Sequence, residues 1–529
     1  MSFISLTFYA FCLLLVLAYY LVPKRMQLFV LLIFNVVFIL ASDGELVIFM
    51  IITVISTYIA GKIMNRNDRA LKAQIAAVPD ITRAQKTELK DRTARMNRRL
   101  LTLALFLNFG IWAVIKYTDF VIQNVNKIGS ALGLSAVPYA AFIMPLGISF
   151  YTFSAMGYLI DVNRGKYPAD ESLLNVAAFI TFFPHLIEGP FSRYDTLGKT
   201  LFERHSFSYE NICLGSRRIL WGLCKKVIIA DQLGTAVNYY FNNLNMYDGL
   251  YACTAMLLYG MQLYADFSGY MDIACGVSKL LGITLDENFA RPFLAVSVED
   301  FWRRWHITLG TWFRDYVFYP VSFSRAAQKL GHKSRKKFGA RMGKLVPSYL
   351  ALIFVWVITG LWHGAAWQYV FWGLGNLFII VFSLQMKPLY EKGKHFIRAD
   401  RHELAWHIFQ VVRTFIIVGF LRVMSRTNGM MECLLLYKNT FKGWNVNWLA
   451  MGKWTFFPKM QTISIATACL FSLFLIIVDI LQEAGRWETV KAKTPGIVRS
   501  FVYVGLITAL LICAGENAGT TTGFMYEIY

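Results

Sequence analysis

Two histidines stand out by their surroundings. His363 lies in the run VWVITGLWHGAAWQYVFWGLGNLF (355–378), between Trp362 and Gly364. A neutral imidazole there is fitted to take a proton from a hydroxyl. The small residues Gly360, Gly364, Ala365 and Ala366 leave an approach to the ring, and Trp362 and Trp367 wall it from water. The alternative is a structural histidine on an apolar helix. The second, His306, lies in EDFWRRWHITLGTWFRDYVFYP (299–320). There Phe301, Trp302, Trp305, Leu309, Trp312, Phe313 and Tyr316 recur at spacings of three and four, which predicts one helix with a broad apolar face. Arg303, His306, Gly310 and Arg314 follow the same spacing on the other side, as a polar seam of two guanidiniums and an imidazole. The same pattern also fits an interfacial helix whose arginines meet lipid phosphates and whose histidine is a core residue.

Other groups are weaker candidates. Asp266 and Asp272 flank Ser268 in LYADFSGYMD, but no G-x-S-x-G elbow surrounds that serine, so polar anchoring of a bent helix is the better reading. The segments PLGISFYTFSAMGYLIDVNR and FFPHLIEGPFSR bring Asp161, Arg164, His185, Glu188 and Arg193 near membrane depth, where they are expected to shape a buried cavity. Eight cysteines occur without CxxC spacing, and Cys12, Cys253, Cys469 and Cys513 fall in apolar runs. Neither a disulfide framework nor a metal site is expected.

The elements that position these residues are membrane helices. The chain has 529 residues, 56% hydrophobic and 16% charged, against roughly a quarter charged in a soluble protein. Residues 3–22, 26–42, 46–61, 100–115, 249–265, 460–478 and 500–515 contain no Asp, Glu, Lys, Arg or His. Each is about the length a helix needs to cross a ~30 Å hydrocarbon layer. Residues 345–386 carry a single His and no other charge, enough for two spans joined by a tight turn. Residues 137–160 and 172–187 are broken by Pro and Gly and predict a distorted span and a broken or re-entrant helix. The fold class is all-α and polytopic, with about 11 to 13 membrane segments. Residues 3–22 are too long and too lightly flanked for a cleaved signal peptide and read as an anchor.

The formal charge of +21 reports topology rather than a nucleic-acid partner. The basic residues lie between spans: Lys24 and Arg25, 66–99, 325–344, 387–401 and 486–499. With these on the inner face of the membrane, the N-terminus, Asp43, Glu45 and the tail 516–529 fall outside. Residues 65–99 read as a solvated helical hairpin broken at Pro79. Up to about Tyr117 the spans are plain, from about Ala141 to Asn376 they are rich in His, Arg, Asp, Trp, Gly and Pro, and from about His402 they are plain again. The expected organisation is one membrane-embedded domain, 1–529, with peripheral spans in 1–117, a catalytic core in 138–380, and C-terminal spans and tail in 403–529.

The motifs PLGISFYTF, YLIDVNRG, FFPHLIEGPFSR, QLYADFSGYMDIA, ENFARPFLAVSVEDFWRRWHITLGTWFRDYVFYP and GLWHGAAW, in this order from Pro145 to Asn376, resemble the membrane-bound O-acyltransferase family. The likeness is to the branch that acetylates alginate, peptidoglycan and other bacterial glycans. It implies a ring of helices around a funnel where a cytoplasmic acyl donor meets an extracytoplasmic acceptor. It also implies that His363 is the catalytic histidine and His306 its companion. Acetyl-CoA is the implied donor substrate, with Arg303, Arg304, Trp305 and Trp362 as candidate contacts. The ending GFMYEIY resembles a Phe-x-Tyr-x-x-Phe tail, with Tyr529 replacing the last Phe. There the tyrosine, Tyr526 here, is an acyl relay to an extracytoplasmic esterase-like (SGNH) transferase acting on a polysaccharide. An interfacial anchor is the alternative role for Tyr526. Asn376 stands where relatives of this branch often have a His-Gly pair, so a third histidine role is not expected. The competing functions are D-alanyl transfer to teichoic acid, lipid acylation, and export of glycan or acyl groups without chemistry; the lack of internal repeats speaks against export.

Overall fold

The computed structural model describes residues 1–78, 80–246, 249–396, 402–444 and 462–516. The described residues are α-helical and the protein is a multi-pass membrane protein, as the apolar blocks predict. Among the described residues eight helices are long and apolar enough to cross a membrane; α1 (Leu6–Leu21), outside these eight, is shorter at 16 residues. The chain forms two compact units, residues 1–219 with 274–286, and residues 220–273 with 287–529.

The first unit contains α1, α2 (Gln27–Asp43), α3 (Val47–Ala76), α4 (Arg83–Ala131), α5 (Ile148–Asn163), α6 (Leu173–Thr181), α7 (Phe183–Leu186), α8 (Tyr194–Leu201) and most of α9 (Tyr209–Leu223). Helices α3 and α4 are the predicted hairpin, though Pro79 lies outside the described residues. At 49 residues, α4 is about 74 Å long and overshoots the bilayer, which puts its basic first half in water. Thr82 starts it with a capping box, accepting from Gln85 N and donating its own N–H to Gln85 Oε1. The 172–187 segment is broken as expected, at Phe182. Buried Asn35 of α2 satisfies the break: its Oδ1 accepts from Phe183 N (3.2 Å) and its amide donates to Thr181 Oγ1 (3.3 Å). The 137–160 segment is helical only from Ile148, after an extended stretch.

The second unit contains a π-helical turn (Cys224–Ala230), α10 (Asp231–Phe241), most of α11 (Gly249–Leu280), α12 (Val298–Arg304), α13 (Ile307–Phe313), a second π turn (Arg314–Phe318), α14 (Tyr319–Ser322), α15 (Arg325–His363), α16 (Trp367–Phe396), α17 (Glu403–Val423), α18 (Met430–Thr440), α19 (Thr462–Glu483), α20 (Trp487–Lys493) and α21 (Gly496–Glu516). The run 345–386 is the two-span pair expected, turning at 364–366 between α15 and α16. These helices meet backbone to backbone. A Cβ at Gly360 would lie 2.4 Å from Tyr369 O, and one at Gly373 2.3 Å from Trp356 O. Small residues let membrane helices approach this closely, and dispersion then holds them without a hydrophobic drive.

The run 299–320 departs from its prediction. It is not one helix but α12, a break at Trp305 and His306, α13 and a π turn. His306 has left-handed backbone, φ 50°, which side chains other than Gly rarely adopt. The segment 288–290 imposes the break by pairing antiparallel with it: Ala290 N donates to Arg304 O (2.9 Å) and Ile307 N to Asn288 O (3.0 Å). Apolar residues continue through the break because α12 buries Phe301 and α13 buries Leu309, Trp312 and Phe313. The polar seam therefore does not form. Arg303 and Arg314 are exposed and paired with Glu299 and Asp315, whereas His306 is buried.

Candidate active site

His363 is the last residue of α15 and only partly buried. Its ring meets Trp372 of α16 edge-to-face at 4.8 Å and Trp362 at 4.7 Å. Trp367, expected as a wall, is 49% exposed, with the Phe371 ring 6.2 Å away. The small residues beside His363 also act differently from expectation. A Cβ at Gly364 would lie 2.1 Å from the Tyr369 ring, so this glycine admits a neighbouring helix, not a ligand. The approach to the imidazole is instead a cavity of about 40 Å³ lined by His363, Trp302, Trp305, Trp372, Asn376, Arg422 and Ser425, among others. Asn376 is locked, accepting from Trp302 Nε1 (3.0 Å) and donating to Trp372 O (2.9 Å).

His306 is 2% exposed and shares Trp362 with His363, its ring 5.7 Å from that indole. Phe267 packs edge-on against His306 at 4.9 Å. The proton on His306 is placed by Asn288. Asn288 Oδ1 accepts from Thr308 N (3.0 Å) and Thr308 Oγ1 (2.9 Å), and lies 3.2 Å from His306 Nδ1. A backbone N–H can only donate, so the atom facing all three is the amide oxygen and His306 Nδ1 must carry the hydrogen. The lone pair of neutral His306 is then on Nε2. Asn288 also caps α13 from another segment, in place of the N-cap residue itself.

The structure thus brings His363, His306, Trp305 and Trp362 together. It does not bring Arg303 and Arg304 to the cavity. Arg303 pairs with Glu299, and Arg304 with Asp300 (3.0 Å) and Glu483 (2.9 Å). Tyr526 lies outside the described residues. Asp266 and Asp272 anchor α11, as expected, through partners the sequence reading missed. Lys226 Nζ, 1% exposed, sits 2.7 Å from Asp266 and 2.9 Å from Asp231, and Lys225 lies 2.7 Å from Asp272. The signal was a lysine pair inside the apolar run GLCKKVIIAD. Asn288 and Arg422 were missed as well. In the first unit His185 and Glu188 are buried, at 1% and 0% exposure, with His185 against Phe179 and Phe182.

An all-α polytopic membrane protein with a small, tryptophan-lined, imidazole-bearing cavity is the class that this fold and site define. The family model for the membrane-bound O-acyltransferase family matches residues 139–333, a stretch that includes His306 and ends before His363. The chain is 30% identical to the peptidoglycan O-acetyltransferase of Helicobacter pylori over 374 residues, 64% of this chain and 67% of that protein. It is 36% identical to the probable alginate O-acetylase of Pseudomonas aeruginosa over 279 residues, 53% of this chain and 50% of that one. It is 33% identical to the teichoic acid D-alanyltransferase of Bacillus subtilis over 241 residues, 43% and 56% of the two chains. The chain spans about half the length of the alginate relatives it matches. It belongs to the membrane-bound O-acyltransferase family.

Proposed function

We propose that the protein is an O-acyltransferase of a bacterial cytoplasmic membrane that moves acetyl from acetyl-CoA toward hydroxyls of an extracytoplasmic polysaccharide or cell-wall glycan. The observation that carries the reading is the partly exposed imidazole of His363 on the wall of a small cavity otherwise rich in tryptophan. Acyl transfer from a thioester needs a base as the hydroxyl attacks, and a water-poor site so that the donor is not hydrolysed. His363 is the base. His306, buried behind Trp362 with its proton fixed on Nδ1, is a positioning residue that holds the aromatic wall. A cavity of about 40 Å³ leaves room for only a small group beside His363. Tyr526, on a tail held to be extracytoplasmic by the positive-inside rule, passes the acyl group to a separate esterase-like transferase.

The likeness to a D-alanyltransferase keeps a second donor in play. D-alanyl is also a small acyl group, so the cavity does not choose between them. Purified protein in liposomes, offered [14C]acetyl-CoA or a D-alanyl carrier thioester, separates the two readings by which thiol is released. Acetyl-dependent release lost in His363→Ala is the expected result. Release only from the D-alanyl donor would replace acetyl with D-alanyl, and release from neither would reject the acyltransferase reading.

A further inference from the structure

A buried cation lines the same cavity, on a helix whose sequence looks plain. Arg422 is the penultimate residue of α17 and is 6% exposed. Its guanidinium stands over three rings, Trp305 at 5.1 Å, Phe293 at 5.5 Å and Phe301 at 5.6 Å. Two of these, Trp305 and Phe301, also line the cavity that holds His363. Gly260 of α11 completes the seat, since a Cβ there would lie 2.8 Å from Arg422 Nη1. An arginine at membrane depth is costly and belongs to pathways and sites more than to packing. The three ring contacts hold the guanidinium in place ahead of any ligand.

We propose that Arg422 is a catalytic residue, the fixed positive charge that faces the carbonyl oxygen of the acyl thioester as it becomes an oxyanion. This rests on the acyl-transfer reading above. The acceptor hydroxyl oxygen bonds to the thioester carbonyl carbon, its proton passes to His363, and the carbonyl π pair moves onto oxygen opposite Arg422. On collapse the C=O bond re-forms and the C–S bond breaks. The sulfur leaves as thiolate and takes the proton from His363, giving ester and thiol. Arginine suits this part because it stays protonated throughout. A charge held by rings before the reaction also needs no reorganisation during it.

The test uses the full chain in nanodiscs, with kcat for thiol release from acetyl-CoA in the presence of a hydroxyl-bearing oligosaccharide acceptor and binding of a non-reactive thioether analogue measured separately. Arg422→Gln is expected to lower kcat on the order of 10²–10³-fold, with analogue binding changed by less than about threefold. Arg422→Lys is expected to recover about tenfold of that loss, because the charge returns without the planar fork. Gly260→Ala keeps the charge and pushes Nη1 aside, and is expected to lower kcat about tenfold or more at unchanged analogue binding. Near-normal kcat in folded Arg422→Gln overturns the proposal, and so does an equal loss of analogue binding and kcat. If Arg422→Gln does not insert, Lys and Gly260→Ala decide: near-normal kcat in both overturns it. His363→Ala separates the failures. Transfer lost there but kept in Arg422→Gln removes Arg422 alone, whereas a wild-type protein that releases no thiol rejects the acyl-transfer reading itself.

Discussion

Gly360→Ala tests whether the site depends on the backbone contact between α15 and α16. The added methyl would lie 2.4 Å from Tyr369 O, 3.1 Å from Tyr369 C and 3.2 Å from Val370 Cα, all of them backbone atoms of α16. No side chain can swing away to relieve it, so α16 must retreat by about 1 Å to regain van der Waals contact. That movement passes directly to the site, because His363 is on α15 and Trp372, 4.8 Å from its ring, is on α16. Overpacking of this kind costs about 1–3 kcal/mol of stability. A displacement of about 1 Å at a reacting group costs on the order of 10² in rate. Gly393→Ala, on α16, is the control, since a Cβ there meets nothing within 4 Å. Acyl-transfer rates and thermal unfolding of both variants are measured in detergent. The expected result is a loss of about 10²-fold in Gly360→Ala and wild-type behaviour in Gly393→Ala. Equal activity in the two variants would refute the idea that helix packing aligns the imidazole with its tryptophan.

Asn288→Ala removes an acceptor shared by Thr308 N–H, Thr308 O–H and His306 Nδ1; a loss of about 3 kcal/mol in unfolding experiments is expected, whereas Asn288→Asp keeps the acceptor oxygen and should retain more than half of that stability. Lys226→Met leaves Asp231 and Asp266 buried beside each other without their cation; chemical denaturation should show a loss of about 3–5 kcal/mol, and unchanged stability would mean the cluster is neutral as a whole. Tyr526→Phe keeps the ring and removes the oxygen, so glycan acylation in cells should stop, and thiol release from acetyl-CoA by the purified protein without another acceptor should stop with it; continued glycan acylation would remove the relay.

The helices were legible because hydrocarbon demands uninterrupted apolar runs, and 345–386 and the broken 172–187 follow directly from that demand. Asn35, which makes the break at Phe182 tolerable, was not, because its partner Phe183 lies 148 residues further along the chain. His363 and Trp362 were readable from local composition. The shape around His306 was not: a three- and four-residue spacing continues across Trp305 whether or not the helix does, and only pairing with 288–290 breaks it. Gly360 and Gly364 were read as room for a ligand when they are room for Tyr369, since sequence shows that a residue is small without showing what fills the space. Arg422 hid for a related reason. One arginine near the end of an apolar run normally marks the membrane edge, and only its seat over Trp305 turns it inward.

The central claim is that His363 is the base in an acyl transfer. Its most direct measurement is the rate of thiol release from [14C]acetyl-CoA by wild-type protein and His363→Ala in liposomes, both with insertion verified by protease protection. A fall on the order of 10²–10⁴-fold is predicted, with binding of the thioether analogue retained. Full release by a correctly inserted His363→Ala would contradict the account.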